Sequence, residues 1–191
     1  MSEANRKPRG PAVPPTAFGT RVIRAARLDV AIYEEVEADH TATPQAALVV
    51  CLAAAAVAIG QSNAGLVAVA YGIVRELVGW LLWSLITFVI GAKLLRGTAT
   101  LGELLRTIGF AQGPGMLSVL GAFPLISDPV RYGVGTWKLA AVIVAIRQAL
   151  DFDEGRFGTA KALTTAALGF IAYVGLAMLE AMLLGLPLPF Q

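Results

Sequence analysis

The chain has 191 residues, of which 57% are hydrophobic and 15% are charged, and its mean hydropathy is +0.70. Soluble domains carry about 25% charged residues, so these totals exclude an ordinary soluble domain and indicate an integral membrane protein. A net charge of +2 with clustered basic residues argues against a nucleic-acid partner. With one cysteine, Cys51, and one histidine, His40, the chain excludes an internal disulfide, a cysteine-type metal site and a bis-histidine haem.

Residues 1–17 are a polar tail with prolines at positions 8, 11, 14 and 15. The prolines favour an extended segment, and they stand where a signal peptide would have its apolar core. We therefore expect a disordered cytoplasmic leader, with a tail held by a partner as the alternative.

Residues 18–43 follow as an expected amphipathic interfacial helix. Its apolar side chains are spaced by three and four, which places them on one helical face; they are Val22, Ile23, Ala26, Val30 and Tyr33. The basic residues come first and the acidic residues last, namely Arg21, Arg24, Arg27, Glu34, Glu35, Glu37 and Asp39. We expect the basic part to lie in the headgroup layer and the acidic end to face water or a basic partner.

Apolar stretches fill the remaining part, residues 44–191, which we interpret as one membrane domain of five spans. A helix needs about 20 residues to cross the hydrocarbon layer. The predicted spans are about 45–60, 66–95, 104–126, 136–150 and 159–186, with residues 127–135 as a loop. The predicted fold class is therefore all-α, a polytopic helical bundle of five transmembrane helices preceded by the amphipathic helix.

The third span contains a break. Thr100 and Glu103 match a capping box that opens a helix, and this helix then meets Gly113, Pro114 and Gly115. Pro114 has no N–H to donate, and the flanking glycines relieve its clash with the preceding turn. Because the freed carbonyls need partners inside a membrane, we expect the break to face protein and not lipid.

The basic residues predict the orientation of the chain. Of its 15 lysines and arginines, all but Arg75, Arg131 and Lys138 fall on one side of the predicted spans. The positive-inside rule then places the N-terminus in the cytoplasm and the C-terminus outside the membrane.

Ionisable residues inside spans are candidates for structural or functional roles. Glu180, Lys138 and Arg75 fall at similar depth, so we expect Glu180 to form a structural ion pair with Arg75 or Lys138. Arg75 has two alternatives, a contact with neighbouring Glu76 or extension to the membrane surface. A proton or ion relay through Glu180 is the functional alternative.

Small residues recur every four positions on two spans, which permits close helix packing in lipid. In span five the positions are Gly169, Tyr173, Ala177, Ala181 and Gly185, and in span two they are Ala68 and Gly72. We expect packing inside the chain, with contact to a second copy as the alternative.

Sequence signals for catalysis and cofactors are weak. Asp151, Asp153 and Glu154 do not complete a calcium-binding loop, and His40 beside Asp39 is typical of a surface residue. The sequence has no P-loop, GxGxxG or HExxH pattern. We therefore expect no cofactor, no metal and no enzymatic activity.

Two stretches resemble a known family: LLWSLITFVIGAKLLRGTATLGELLRTIGFAQGPGML (81–117) and WKLAAVIVAIRQALDFDEGRFGTAKAL (137–163). They are similar to the Yip family of Ypt/Rab-interacting multi-pass membrane proteins, and most closely to its bacterial branch. The resemblance implies the fold. Eukaryotic relatives carry an Asp-Leu-Tyr-Gly-Pro motif of which only Gly113-Pro114 has a counterpart here, so binding to Rab-type GTPases is not implied.

These features favour a non-enzymatic structural or adaptor protein of the bacterial cytoplasmic (inner) membrane, including a subunit of a larger membrane complex. Its expected partners are the lipid bilayer and another membrane protein or a second copy of the chain. The alternative is a small transporter, permease or lipid-handling protein that uses the broken third span, since discontinuous helices often flank substrate sites. A polar cavity beside Gln112 and Gly113 would favour this alternative.

Overall fold

The computed structural model describes residues 16–61, 65–151 and 156–184, and these ranges contain helices and no strand. The all-α class is therefore confirmed. Within the last range some side chains, including that of Glu180, lie outside the description. The α-helices are α1 (Phe18–Ala26), α2 (Val30–Ala38), α3 (Thr43–Gly60), α4 (Leu66–Thr87), α5 (Leu101–Phe110), α6 (Ser127–Ala149) and α7 (Arg156–Leu184). A 310 turn at His40–Ala42 precedes α3, a π-helix at Phe88–Leu94 extends α4, and a 310 helix at Gly113–Ala122 follows α5.

The segment predicted as one amphipathic helix, 18–43, contains two helices and a turn. Leu28 has a φ of 61°, a conformation that non-glycine residues seldom adopt. At this turn the N–H groups of Leu28 and Asp29 donate to the carbonyls of Ala25 and Arg24. The Asp29 carboxylate then accepts from the N–H of Ala31 and starts α2. The turn folds the acidic second half of the segment back towards its basic first half.

The apolar side of α2 is covered by protein. Ile32, Tyr33 and Val36 are fully buried, and α2 packs on α5 and α6. From α5, Leu104 and Ile108 are also fully buried in the same core. The apolar face of α2 therefore belongs to the core of the protein, and the predicted position of this segment in the headgroup layer stays a prediction.

The third predicted span, 104–126, is not one helix. The capping box is confirmed, since the Thr100 hydroxyl accepts from the N–H of Glu103 while the Glu103 carboxylate accepts from the N–H of Thr100. The helix that it opens, α5, ends at Phe110, and the 310 helix begins at Gly113. Pro114 lies in the first turn of this 310 helix, where a missing N–H is tolerated.

Both α5 and the 310 helix pack along α3, and each approaches it closely at small residues. A Cβ atom on Gly109 would lie 2.7 Å from the Cβ of Ala46, and one on Gly115 would lie 3.0 Å from the Cβ of Ala53. At the far end, a Cβ on Gly60 would overlap the carbonyl oxygen of Ser118. Glycine at these positions is what lets α5 and the 310 helix come close to the backbone of α3.

The helix that contains the fourth predicted span starts earlier than that predicted span. Residues 127–135 were expected to form a loop because they contain a proline and two glycines, but α6 begins at Ser127 and runs through them. Pro129 falls in the first turn, where its lack of an N–H breaks no helical hydrogen bond. Asp128 in the same turn is favourable at the positive end of the helix dipole.

Two helical stretches of the described ranges are long and apolar enough to cross a membrane, His40–Gly60 with 21 residues and Leu66–Leu94 with 29 residues. The second exposes a row of apolar side chains, which includes Val67, Val74, Val78, Leu81 and Leu85. Such a row is expected to face lipid, since soluble proteins seldom expose one. The fifth predicted span lies partly outside the described residues, so the number of spans stays a prediction.

Candidate functional site

The end of the bundle that carries α1, α2 and α5, which we call the cap, holds a buried arginine. Arg21 of α1 has a side chain that is 2% exposed, and its Nη2 lies 3.0 Å from Oε1 of Glu35 and 2.8 Å from Oδ2 of Asp39. Its Nη1 donates to Oε1 of Gln45 at 3.1 Å. Because a buried charge is tolerated only when it is paired and hydrogen-bonded, this network fixes α1 against α2 and the start of α3.

The acidic partners of Arg21 have further contacts of their own. Thr16 donates to Glu35 through its N–H at 3.1 Å and its hydroxyl at 2.6 Å. Burial opposes ionisation of Glu35, but the hydrogen bonds from Thr16 and Arg21 outweigh it, so the pKa of Glu35 lies below its ordinary value. The hydrogen bond from Thr41 and the contact with Arg21 lower the pKa of Asp39, although burial opposes the shift.

The sequence interpretation of these residues was wrong in one respect. The arginines were expected to face lipid, and the acidic end was expected to meet water or a basic partner. The structure instead pairs Arg21 with Glu35 and Asp39 of the same segment. No helical spacing predicts this pairing, since it depends on the turn at Leu28.

A second buried arginine fastens the other end of α2. Arg106 of α5 is 3% exposed, and its Nε donates to the carbonyls of Val36 at 2.9 Å and Glu37 at 3.1 Å. Its Nη2 also donates to the Glu37 carbonyl. These carbonyls belong to the last turn of α2, where the backbone has no acceptor partner within the helix, so Arg106 acts as a side-chain cap.

Two tryptophans tie the cap to longer helices. Trp137 of α6 donates to the carbonyl of Ala26, at the end of α1, at 2.7 Å. Trp80 of α4 donates to the carbonyl of Leu105 in α5 at 3.0 Å. Both indole N–H groups therefore hold the backbone of the cap.

The cap bears an acidic groove of about 370 Å³. Four carboxylates from three parts of the chain line it, and they come from Glu34, Glu37, Glu103 and Asp151. Gln148 lies among them and donates to Glu34 at 2.9 Å. Within the described residues none of the four carboxylates forms an ion pair, and no group of acidic, histidine or cysteine side chains there is arranged to hold a metal.

Glu37 is the most perturbed acid of the groove. Burial raises the pKa of Glu37 to about 7, and the nearby charges of Asp151 and Glu103 add to the shift. The Arg106 guanidinium acts in the opposite direction. Among the described residues, the charges that act on Glu37 are therefore mainly negative.

The break at Gly113, Pro114 and Gly115 is buried, and its space is filled by neighbouring elements. A Cβ on Gly113 would meet the Val22 side chain at 3.4 Å, and one on Gly115 would meet Cδ of Lys138 at 3.3 Å. Gln112, beside the break, is 6% exposed. Close packing at this break does not favour the transporter alternative.

The predicted ion pair of Glu180 stays a prediction, since its side chain lies outside the described part. The aliphatic part of Lys138 packs on Gly115. Nη2 of Arg75 lies 3.9 Å from Oε1 of Glu76, and both side chains are partly exposed. This is the contact with neighbouring Glu76 that was one of the two alternatives for Arg75.

Of the predicted small-residue positions, Gly169 packs inside the chain against Trp83 and Thr87. On α4, Ala68 is exposed and nothing lies within 4 Å of a Cβ on Gly72. The side chains of Tyr173, Ala177 and Ala181 and the residue Gly185 lie outside the description. The close α3 contacts of Gly60, Gly109 and Gly115 were missed, although a search for glycines facing a parallel helix would have included them.

The apolar helices, the cap fastened by buried arginines and the proline break together define a helical membrane protein. A family model named Yip1 domain matches residues 32–179, which is most of the chain. The chain therefore belongs to the Yip1 domain family, as the resemblance implied. The match begins inside α2, so the family region includes part of the cap as well as the membrane helices.

Neither the comparison with curated proteins nor the comparison with solved structures found a match. The Yip1 family is generally non-enzymatic, and its members are membrane proteins that interact with lipid and membrane partners.

Proposed function

We propose that this protein is a non-enzymatic structural or adaptor component of the bacterial cytoplasmic membrane, with the N-terminus and cap in the cytoplasm and the C-terminus outside. In this proposal it acts as a subunit or organiser of a larger membrane complex. The single observation that carries it is the cap, which is fixed to the bundle by Arg21 and Arg106 and presents a groove whose four carboxylates form no ion pair within the described residues.

The rigidity of the cap supports an adaptor role. A surface that is held in place by buried hydrogen bonds loses little conformational freedom when a partner binds, which favours affinity. The networks of Arg21 and Arg106 provide this, since each arginine joins α2 to a different neighbouring element.

The charge of the groove supports a basic protein partner. Four carboxylates without an ion pair in the described residues attract lysine and arginine side chains, and complementary charges speed association and select the partner. The distribution of basic residues supports the cytoplasmic placement of this surface.

A carbodiimide cross-linking experiment in native membranes tests the proposal, because this reagent joins a carboxylate directly to a lysine that touches it. We expect cross-links from Glu34 or Asp151 to lysines of one defined membrane-complex subunit, found by mass spectrometry after purification in mild detergent. The double variant Glu34→Gln/Asp151→Asn should lose them. Asp128→Asn, which removes an exposed charge at the first turn of α6, should keep them.

A different result would contradict the adaptor role. Recovery of the chain only as a free monomer or a homo-oligomer, with no cross-link from the groove in the wild type, would overturn the adaptor proposal.

A further inference from the structure

The first three turns of α4 are poorly covered by the rest of the protein. Leu66 and Val67 are 86% and 84% exposed, and Tyr71 and Val74 are exposed as well. Farther along the same helix the exposure falls, and Trp80 is buried. The part of α4 that lacks cover is therefore its beginning, residues 66–76.

This part of α4 also carries two adjacent charges, Arg75 and Glu76. Their side chains are 48% and 30% exposed, and Nη2 of Arg75 lies 3.9 Å from Oε1 of Glu76. This contact is long for an ion pair, because neighbouring positions on a helix do not face each other. Within the described residues neither side chain forms another ion pair. The two charges are thus only weakly matched there.

Neither water nor lipid is a favourable environment for this surface. The apolar helical stretch has 29 residues, which is about 43 Å, whereas the hydrocarbon layer is about 30 Å thick. If that layer ends at Lys93, about 20 residues reach back to Ile73, and the exposed apolar start of α4 lies in water. If the layer instead includes Leu66, Arg75 lies near its centre, where a charge is costly and usually faces protein. In both positions a covering protein surface would remove the unfavourable contact.

The two charges lie beside small residues. Ala68, Gly72 and Arg75 are spaced by four and three, so they form one row along α4, and Glu76 follows Gly72 by four. A Cβ on Gly72 would have nothing within 4 Å, and Ala68 is exposed. Small side chains let another helix approach closely in a membrane. A helix that packed on this row would lie within reach of both charges.

We propose that this row, formed by Ala68, Gly72, Arg75 and Glu76, is the contact surface of a two-fold symmetric homodimer. In such an interface the same patch is used by both copies, so Arg75 of each copy meets Glu76 of the other. Adjacent opposite charges are self-complementary in this arrangement, which argues for a second copy of the chain over an unrelated partner. The dimer does not depend on the proposed adaptor role.

Charge exchange between two differently tagged copies tests the dimer. In Arg75→Glu both charged positions are acidic, and in Glu76→Arg both are basic, so each variant alone places like charges across the interface and should lose the dimer. Wild-type copies should co-purify in mild detergent, and coexpression of the two variants should restore co-purification as a mixed pair. This rescue also shows that both variants fold. Unchanged dimers in the single variants, or no rescue in the mixed pair, would overturn the proposal.

Disulfide cross-linking in native membranes locates the contact. Ala68→Cys in a Cys51→Ala background should form a linked dimer on mild oxidation, because a disulfide needs Cα atoms closer than about 7 Å. Ala70→Cys in the same background is the matched control, since Ala70 is also exposed but faces another side of α4. It should stay monomeric. Equal linkage of both variants, or linkage of Ala68→Cys to a different protein, would rule out this surface as the dimer contact.

A partner for Arg75 inside its own chain gives a different result. Glu180 was predicted as such a partner. If that pair forms in place of the contact between copies, Arg75→Glu should be rescued by Glu180→Arg in the same chain and not by Glu76→Arg in a second copy. This outcome would overturn the intermolecular pairing.

Discussion

The cap and the inner bundle are held together by different kinds of contact. In the cap, buried arginines and tryptophans donate to groups far away in the chain, as Arg21 does to Glu35 and Arg106 does to the end of α2. Between α3 and the 310 helix, backbones touch at glycines, and shape alone determines the fit. The helices of the cap are thus held in position by polar contacts, and those of the interior are held by the small size of the residues where they touch.

The largest effect is expected from Arg21→Met, which tests whether polar contacts hold the cap. It leaves Glu35 and Asp39 without their cation, and breaking a buried network in this way costs about 3 kcal/mol. Thermal unfolding in nanodiscs should show a Tm lower by about 6–12 °C. The comparison is Arg24→Met, whose partner Asp29 is partly exposed, so its shift should be smaller. Equal shifts would show that burial of Arg21 contributes nothing.

Next in size is Gly60→Ala, which tests whether residue size holds the interior. Its methyl group would overlap the carbonyl of Ser118, and such overpacking costs about 1–3 kcal/mol. Gly72→Ala is the control, because a Cβ there has nothing within 4 Å and alanine favours the helix. We expect the Tm to fall for the first variant and to hold or rise for the second. The same behaviour in both would contradict close contact of α3 and the 310 helix.

The smallest effect concerns Glu37 and depends on pH. Its folded pKa of about 7 lies above the ordinary value of 4.5, so the folded state keeps a proton that the unfolded state releases. Stability from this group is therefore present below pH 4.5 and is lost as pH rises to about 7. The groups facing it are Glu34 of α2, Glu103 and Arg106 of α5, and Asp151 after α6.

The variant Glu37→Gln removes this titration and so tests whether the groove raises the pKa of Glu37. Its Tm should exceed that of the wild type at pH 8, and the difference should shrink at pH 5. A difference that is constant across this range would show that the groove does not perturb Glu37.

Much of the fold follows from local pattern. The Thr100–Glu103 capping box, the interruption at Gly113–Gly115 and the apolar runs of α3 and α4 all depend on neighbouring residues, and each is visible in the sequence. The extension of α6 back to Ser127 was missed because Pro129 and two glycines usually indicate a loop. A proline in the first helical turn is compatible with a helix, and only the structure shows that this is its position.

The site was less predictable because it depends on contacts between distant residues. Arg21 was interpreted as a lipid-facing charge, since the left-handed conformation of Leu28 that brings Glu35 beneath it has no sequence signature. Arg106 had no predicted partner, because the carbonyls of Val36 and Glu37 become acceptors only once α2 ends beside α5. The acidic groove likewise forms only when α2, α5 and the end of α6 meet.

In this membrane protein α2 belongs to the folded core. Hydrogen–deuterium exchange in lipid nanodiscs measures this directly, because amides of a packed helix open only when the core opens. We predict that the amides of Ile32–Val36 are protected to a degree similar to that of α3. Exchange of Ile32–Val36 at the rate of an unfolded peptide, while α3 stays protected, would contradict the account.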